Sequence, residues 1–156
     1  MFCPACTAAG RAVRCRPGDK HQAVLNRSPA LHPWVVLDDA VLRRRVGGAD
    51  VMAEQIDHLT VMAQRPNVDI QILPFTSGAH AKGSGGHFLI LGRDDEENPL
   101  GSMNVVYLEL HRRGLCLDAP VDVQNYKLMF GYRRSQAADT SASLELLTAA
   151  RQEPTS

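Results

Sequence analysis

The sequence VDIQILP, residues 68–74, is the strongest strand signal in this chain. Apolar and polar side chains alternate along residues 68–73, which is the period of a strand, and Pro74 ends the run. Upstream, the apolar run WVVL (residues 34–37) follows Pro33 and is typical of a short strand that is buried on both faces. A helix lies between these two strands, so the order predicts a βαβ unit, with a right-handed crossover if the strands are parallel.

The helix between the two strands is predicted over residues 51–65. Asp50 is a plausible N-cap, and Pro66 follows the last residue of the helix. One face is apolar, because four residues recur at spacings of four, three and four: Met52, Ile56, Leu59 and Ala63.

The C-terminal half of the chain predicts three more strands and two helices. The strands cover residues 87–91, 105–110 and 115–117, and Gly114 turns the second of them into the third to complete a hairpin. The helices cover residues 121–136 and a shorter segment through Ala150, which Ser141 or Ser143 would cap. The predicted fold is therefore α/β or α+β: a mixed sheet of about five strands with a βαβ unit, a hairpin and C-terminal helices.

Length and charge restrict the class of protein. The 156 residues suit one domain, predicted over residues 21–150, with tails at 1–20 and 151–156. Seventeen Lys and Arg balance seventeen Asp and Glu, so the basic surplus that is common in nucleic-acid binders is missing. No apolar run approaches the ~20 residues of a membrane span, and none lies near Met1. We expect a cytoplasmic protein that does not interact with membranes.

Three of the four cysteines lie in the first twenty residues. Cys3, Cys6 and Cys15 form C-x2-C-x8-C-x5-H with His21, which has the ligand types and number of a structural zinc site. The alternative is an N-terminal tail that happens to carry thiols, because no hydrophobic periodicity surrounds them. We favour the tail and expect no cofactor. Cys116 lies between two leucines and is expected to be a small buried apolar residue.

Five longer strings carry a family resemblance. They are HQAVLNR (21–27), WVVLDDAVLRRRVGG (34–48), VMAEQIDHL (51–59), PNVDIQILPFTSGAH (66–80) and VVYLEL (105–110). In this order they resemble the actinobacterial domain of unknown function that follows an Xre-type helix-turn-helix in antitoxin-like transcriptional regulators. The resemblance covers residues 21–147.

The resemblance implies the regulatory or ligand-sensing half of a DNA-binding protein. In this sequence the Cys-rich segment stands where the helix-turn-helix is expected, so DNA binding is not carried over. We expect a domain that binds a small molecule or a protein partner and binds no nucleic acid by itself. A helix-turn-helix protein is one candidate partner, and a second copy of the chain is another.

Candidate site residues cluster around one glycine-rich loop, residues 76–86. His80 lies within this loop, directly after a strand, and loops at strand ends are common ligand sites. His87 opens the next strand and could approach His80 across the glycines. Tyr107 and Glu109 share one face of a later strand. We predict a ligand-binding site formed by His80, Tyr107 and Glu109.

Simpler roles exist for the same residues. His80 can be a loop histidine that only hydrogen-bonds its neighbours. Glu109 can pair with one of Arg43, Arg44 or Arg45, or it can face solvent, because a buried unpaired carboxylate is costly. The functional alternative is a small metabolite-transforming enzyme with His80 and Glu109 as an acid/base pair. We favour the regulatory domain over the enzyme.

The first prediction concerns the N-terminal segment. Deleting residues 1–20 should leave the melting temperature unchanged within error, because no apolar periodicity anchors them to a core. Thermal unfolding of both chains measures this. Stoichiometric zinc by elemental analysis, together with a melting temperature that falls when the zinc is removed, would contradict it and would make Cys3, Cys6, Cys15 and His21 the ligands to replace first.

Overall fold

The computed structural model describes residues 31–78, 86–93, 103–110 and 113–152, together with residue 25. Within these residues five strands form two sheets. The first sheet pairs β1 (Trp34–Asp38) with β2 (Asp69–Leu73) in parallel. The second sheet is antiparallel in the order β3-β4-β5, with the bounds Leu89–Arg93, Met103–Glu109 and Gly114–Leu117.

Four α-helices accompany the strands. They are α1 (Ala40–Arg43), α2 (Ala49–Ala63), α3 (Pro120–Gln136) and α4 (Thr140–Gln152). The predicted α+β class, the parallel βαβ unit and the β4-β5 hairpin are confirmed. The strands divide between two small sheets, where one mixed sheet was expected. No helix in the part of the chain that the structure describes is long and apolar enough to cross a membrane.

Helix α2 begins two residues earlier than its periodicity predicts. Its N-cap position is Gly48, with φ of 99°, a conformation that a residue with a Cβ adopts only with strain. Asp50 is therefore not the cap, and it lies in the first turn, where a carboxylate interacts favourably with the helix dipole. The predicted apolar face is confirmed, because Met52 and Ile56 are buried and Leu59 and Ala63 pack against the core.

The main core lies on one face of the first sheet. Ile70 and Ile72 of β2 pack there with Ile56 of α2 and Leu147 of α4, and Ile72 and Leu147 are completely buried. Burying each such side chain stabilises the fold by about 1.5–3 kcal/mol. This core therefore holds α2 and α4 on the same side of the parallel pair.

The other face of β2 is also buried, which the alternation of residues 68–73 does not predict. Gln71 is only 8% exposed. Its amide is satisfied on both sides, because Trp34 Nε1 donates to Gln71 Oε1 at 2.8 Å and Gln71 Nε2 donates to the Ala138 carbonyl at 2.8 Å. A polar residue in this strand therefore marks a buried hydrogen-bond site and not a solvent-exposed face.

The free edge of β2 is covered by the connection between α3 and α4. The Ile72 N–H donates to Ser143 Oγ at 2.9 Å, and the Ala138 N–H donates to the Ile72 carbonyl at 2.9 Å. The Ser143 hydroxyl donates in turn to the Ala138 carbonyl at 3.2 Å. We call Gln71, Ile72, Ala138 and Ser143 the β2 latch. The β2 latch takes the place that a third strand would have at this edge. It pairs both the backbone N–H and the carbonyl of Ile72.

Helix α4 is capped by Asp139, whose Oδ1 accepts the Ala142 N–H at 2.8 Å. The expected cap, Ser141 or Ser143, is therefore wrong, and Ser143 has the different role described above.

Helix α3 contacts β2 on one side and β3 and β4 on the other. Its Val123 is buried, and its Tyr126 ring meets Phe88 edge-on with centroids 5.0 Å apart. Helix α3 thus connects the two sheets.

The second prediction concerns the β2 latch. Ser143→Ala should lower the free energy of unfolding by about 1–3 kcal/mol, because it leaves the buried Ile72 N–H without an acceptor. The matched control is Ser141→Ala in the exposed first turn of the same helix, which should change stability by less than about 0.5 kcal/mol. Urea unfolding measures both. Equal effects of the two substitutions would show that the latch contributes nothing.

Candidate functional site

Several predicted site residues lie outside the described residues. They are His80 of the glycine-rich loop and the four candidate zinc ligands Cys3, Cys6, Cys15 and His21. The acid/base pair of His80 with Glu109, the approach of His87 to His80 and the N-terminal zinc site therefore remain predictions. Within the ranges that the structure does describe, no three His, Cys, Asp or Glu side chains are placed to hold a metal ion.

Glu109 meets a histidine and not an arginine among the described residues. Leu89 pairs with Tyr107, which places His87 across from Glu109 at the end of the β3-β4 ladder. His87 Nε2 lies 3.8 Å from Glu109 Oε2, and the two side chains are 75% and 40% exposed. An exposed pair at this distance contributes little to stability. Of the alternatives for Glu109, the solvent-facing position agrees best with this geometry.

Tyr107 covers a glycine on the neighbouring strand. It pairs with Cys116 in the register of β4 and β5, and its ring leans diagonally over Gly114. A Cβ added to Gly114 would fall within 3 Å of three atoms of the Tyr107 side chain, two in the ring and the hydroxyl oxygen. The ring therefore occupies the space that a side chain would fill and protects the backbone at this position. Cys116 is exposed on this face, so the expectation that it is buried is wrong.

A cavity of the described residues lies between β1, the start of β3, and α3. Its volume is about 440 Å³. All five residues of β1 line it on one side, and residues 86–89 line it on the other. The remaining lining residues come from α1, β2 and α3: Val41, Leu73, Phe130 and Arg133. We call this space the β1-β3 cavity.

Two arginines of α3 stack on aromatic side chains that line the β1-β3 cavity. The Arg133 guanidinium lies 5.2 Å from the centroid of Phe88, and its Nη1 donates to the Gly86 carbonyl at 3.2 Å. The guanidinium of Arg134 lies 4.2 Å from the ring centroid of Trp34. Each contact is a cation–π interaction. The cavity thus combines an apolar lining with the cationic Arg133 at its wall.

A second cavity of about 280 Å³ lies between α1, α2 and the end of α4. It contains Arg43 and Arg151, but each already contacts a carboxylate. Arg43 Nε lies 3.2 Å from Asp39, and Arg151 Nε lies 2.9 Å from Asp57. The β1-β3 cavity is larger and mostly apolar, which is the usual character of a ligand site. It is therefore the better candidate.

Comparison with known families identifies the chain. Residues 5–149 match the model of the family described as domain of unknown function DUF5753. The chain belongs to the DUF5753 family. The DUF5753 match takes in both sheets and nearly all of α4, so both walls of the β1-β3 cavity are DUF5753 elements. Neither the curated proteins nor the solved structures contain a match to this chain.

The lining of the β1-β3 cavity overlaps little with the residues that the sequence singled out. The glycine-rich loop was predicted to border a pocket, and its last residue, Gly86, does line the cavity together with His87. Tyr107 and Glu109 are not among the lining residues. One signal pointed to an actual wall: the apolar run at residues 34–37, all of which line the cavity.

The third prediction concerns the Tyr107 ring. Gly114→Ala should destabilise the chain by about 1–3 kcal/mol, because the new methyl group forces the ring to move. In a Tyr107→Ala background the same substitution should cost less than half as much, since the obstructing ring is gone. A double-mutant cycle from urea unfolding measures this coupling. Additive effects would show that the ring does not lie over Gly114 in solution.

Proposed function

We propose that this chain is a regulatory, ligand-binding domain and that its ligand occupies the β1-β3 cavity. The observation that carries the proposal is the composition of this cavity. Val36, Leu73 and Phe130 supply an apolar lining, and Arg133 supplies a positive charge. Such a site suits a ligand with an apolar body and one anionic or hydrogen-bond-accepting group.

The regulatory role is supported by the family resemblance. The similar domains follow an Xre-type helix-turn-helix in actinobacterial, antitoxin-like transcription regulators. A domain in that position acts by changing shape or stability when its ligand binds, and the cavity lies between the two sheets that α3 connects. Ligand binding there couples the sheets to each other.

The chain should not bind duplex DNA by itself. Its formal net charge is zero, so it lacks the charge surplus that dominates nonspecific affinity for phosphate. A DNA-binding partner, or a DNA-binding segment joined to this domain, would supply that activity. In either arrangement this domain supplies the response to a signal.

The fourth prediction tests the cavity with a fluorescent probe. 8-Anilinonaphthalene-1-sulfonate, an aromatic anion, should bind saturably and become fluorescent. Val41→Glu should weaken this binding by at least about tenfold, because it places a carboxylate at the cavity wall. Fluorescence titration of the purified protein measures both affinities.

The matched control is Val61→Glu, the same substitution at a 61% exposed position of α2 that does not line the cavity. It should bind the probe as the unmodified chain does. Equal probe affinity in the two variants would place the probe elsewhere and would remove the support for this cavity. Thermal unfolding of both variants ensures that folded proteins are compared.

A further inference from the structure

The hydrogen-bonding direction of β1 follows from its register with β2. Asp69 N–H donates to the Pro33 carbonyl at 3.0 Å, and Asp39 N–H donates to the Leu73 carbonyl at 3.0 Å. Residues 33 and 39 therefore direct their backbone groups toward β2. Successive residues of a strand direct these groups to opposite edges. Residues 35 and 37 consequently also face β2, and Trp34, Val36 and Asp38 face the other edge.

The same alternation is visible on β2. Ile72 directs its N–H and carbonyl away from β1, and there they meet Ser143 and the Ala138 N–H of the β2 latch. The outer edge of β2 is thus covered. Across the described ranges, no backbone group bonds to the outward-facing groups of Trp34, Val36 or Asp38, and β1 is the edge strand of its sheet. Among the described residues, one edge of this sheet is closed and the other is open.

The open edge of β1 borders the β1-β3 cavity. All five β1 residues line the cavity, and its opposite wall includes the first residue of β3, which is an edge strand of the second sheet. The cavity thus lies beside a row of backbone donors and acceptors that no described backbone group pairs, and this row is about 16 Å long for five residues. A compact small molecule can satisfy at most part of such a row.

We propose that the occupant of the β1-β3 cavity is an extended peptide segment of a protein partner, which adds to β1 as a third strand. The proposal rests on the proposed function, since it names the class of ligand for that cavity. An added strand would pair with the outward groups of Trp34, Val36 and Asp38, and this pairing supplies affinity without regard to sequence. It would also cover an exposed strand edge, which can otherwise pair with other chains and cause aggregation.

The side chains around the edge define the sequence preference of such a peptide. Trp34, Val36 and Asp38 share one sheet face with Gln71 and Leu73, and this is the face on the side of α3. Alternate residues of an added strand would extend over this face, close to Leu73 and Phe130 of the cavity. The partner segment is therefore about five residues long, apolar at alternate positions, and free of proline where its N–H groups face β1.

The test begins with a phage library of short random peptides. Selection on the full chain, with counterselection on Val36→Pro, should enrich peptides that are apolar at alternate positions. Proline is tolerated at an edge position whose N–H faces outward, so Val36→Pro removes one donor from the open edge and none from the β1-β2 ladder. Urea unfolding confirms that this variant folds.

The decisive measurement is an N-methylation scan of one enriched peptide, by fluorescence polarisation. Methylation at one alternating set of residues should weaken binding by roughly tenfold per site, because each methyl group removes a donor to β1. Methylation at the other set should change binding by less than about twofold. This period-two pattern does not depend on whether Val36→Pro folds.

Two results would overturn the proposal. One is equal sensitivity at every position of the peptide. The other is a selection that enriches no peptide while 8-anilinonaphthalene-1-sulfonate still binds and Val41→Glu still weakens it, which would leave the cavity as a small-molecule site. If neither a selected peptide nor 8-anilinonaphthalene-1-sulfonate binds specifically, the result would instead contradict the proposed function itself.

Discussion

Two hydrogen bonds to the backbone of Ile72 hold the architecture of this domain together. A sheet of two strands has two edges, and a backbone group buried at either edge without a partner costs about 1–3 kcal/mol. The Ala138 N–H and the Ser143 hydroxyl satisfy the outer edge of β2, and in doing so they position the start of α4. Leu147 lies on the same helix and is completely buried in the core. The position of α3 follows, because its last turn leads directly into Ala138.

The β1-β3 cavity is a consequence of how α3 is shared. One helix of seventeen residues serves as the cover of both sheets. Its Tyr126 and Arg133 contact Phe88, just before the second sheet, and its Arg134 contacts Trp34 of the first. The sheets are held near each other by a common neighbour and not by strand pairing. The space between them is lined by residues of β1, β2, β3 and α3.

The elements of the fold were predictable because their signals are local. Alternation along residues 68–73 identifies β2, and the spacing of Met52 and Ile56 identifies the inner face of α2. The burial of Gln71 and the role of Ser143 were not predictable, because each depends on a carbonyl or an N–H that lies more than sixty residues away in the sequence. Tyr107 was predicted to bind a ligand together with Glu109, and its contact with Gly114 was not predictable, because a missing side chain has no sequence pattern. The division into two sheets and the cavity between them depend on tertiary placement alone.

Trp34 is the only tryptophan of the chain, and its position gives the domain an intrinsic optical reporter. Its indole N–H is bonded to Gln71 of the β2 latch, its ring face lies against Arg134, and its edge borders the cavity. The polarity sensed by this one chromophore therefore depends on three separate features of the molecule. Its emission spectrum reports the integrity of the β2 latch and the filling of the cavity at once, with no label attached.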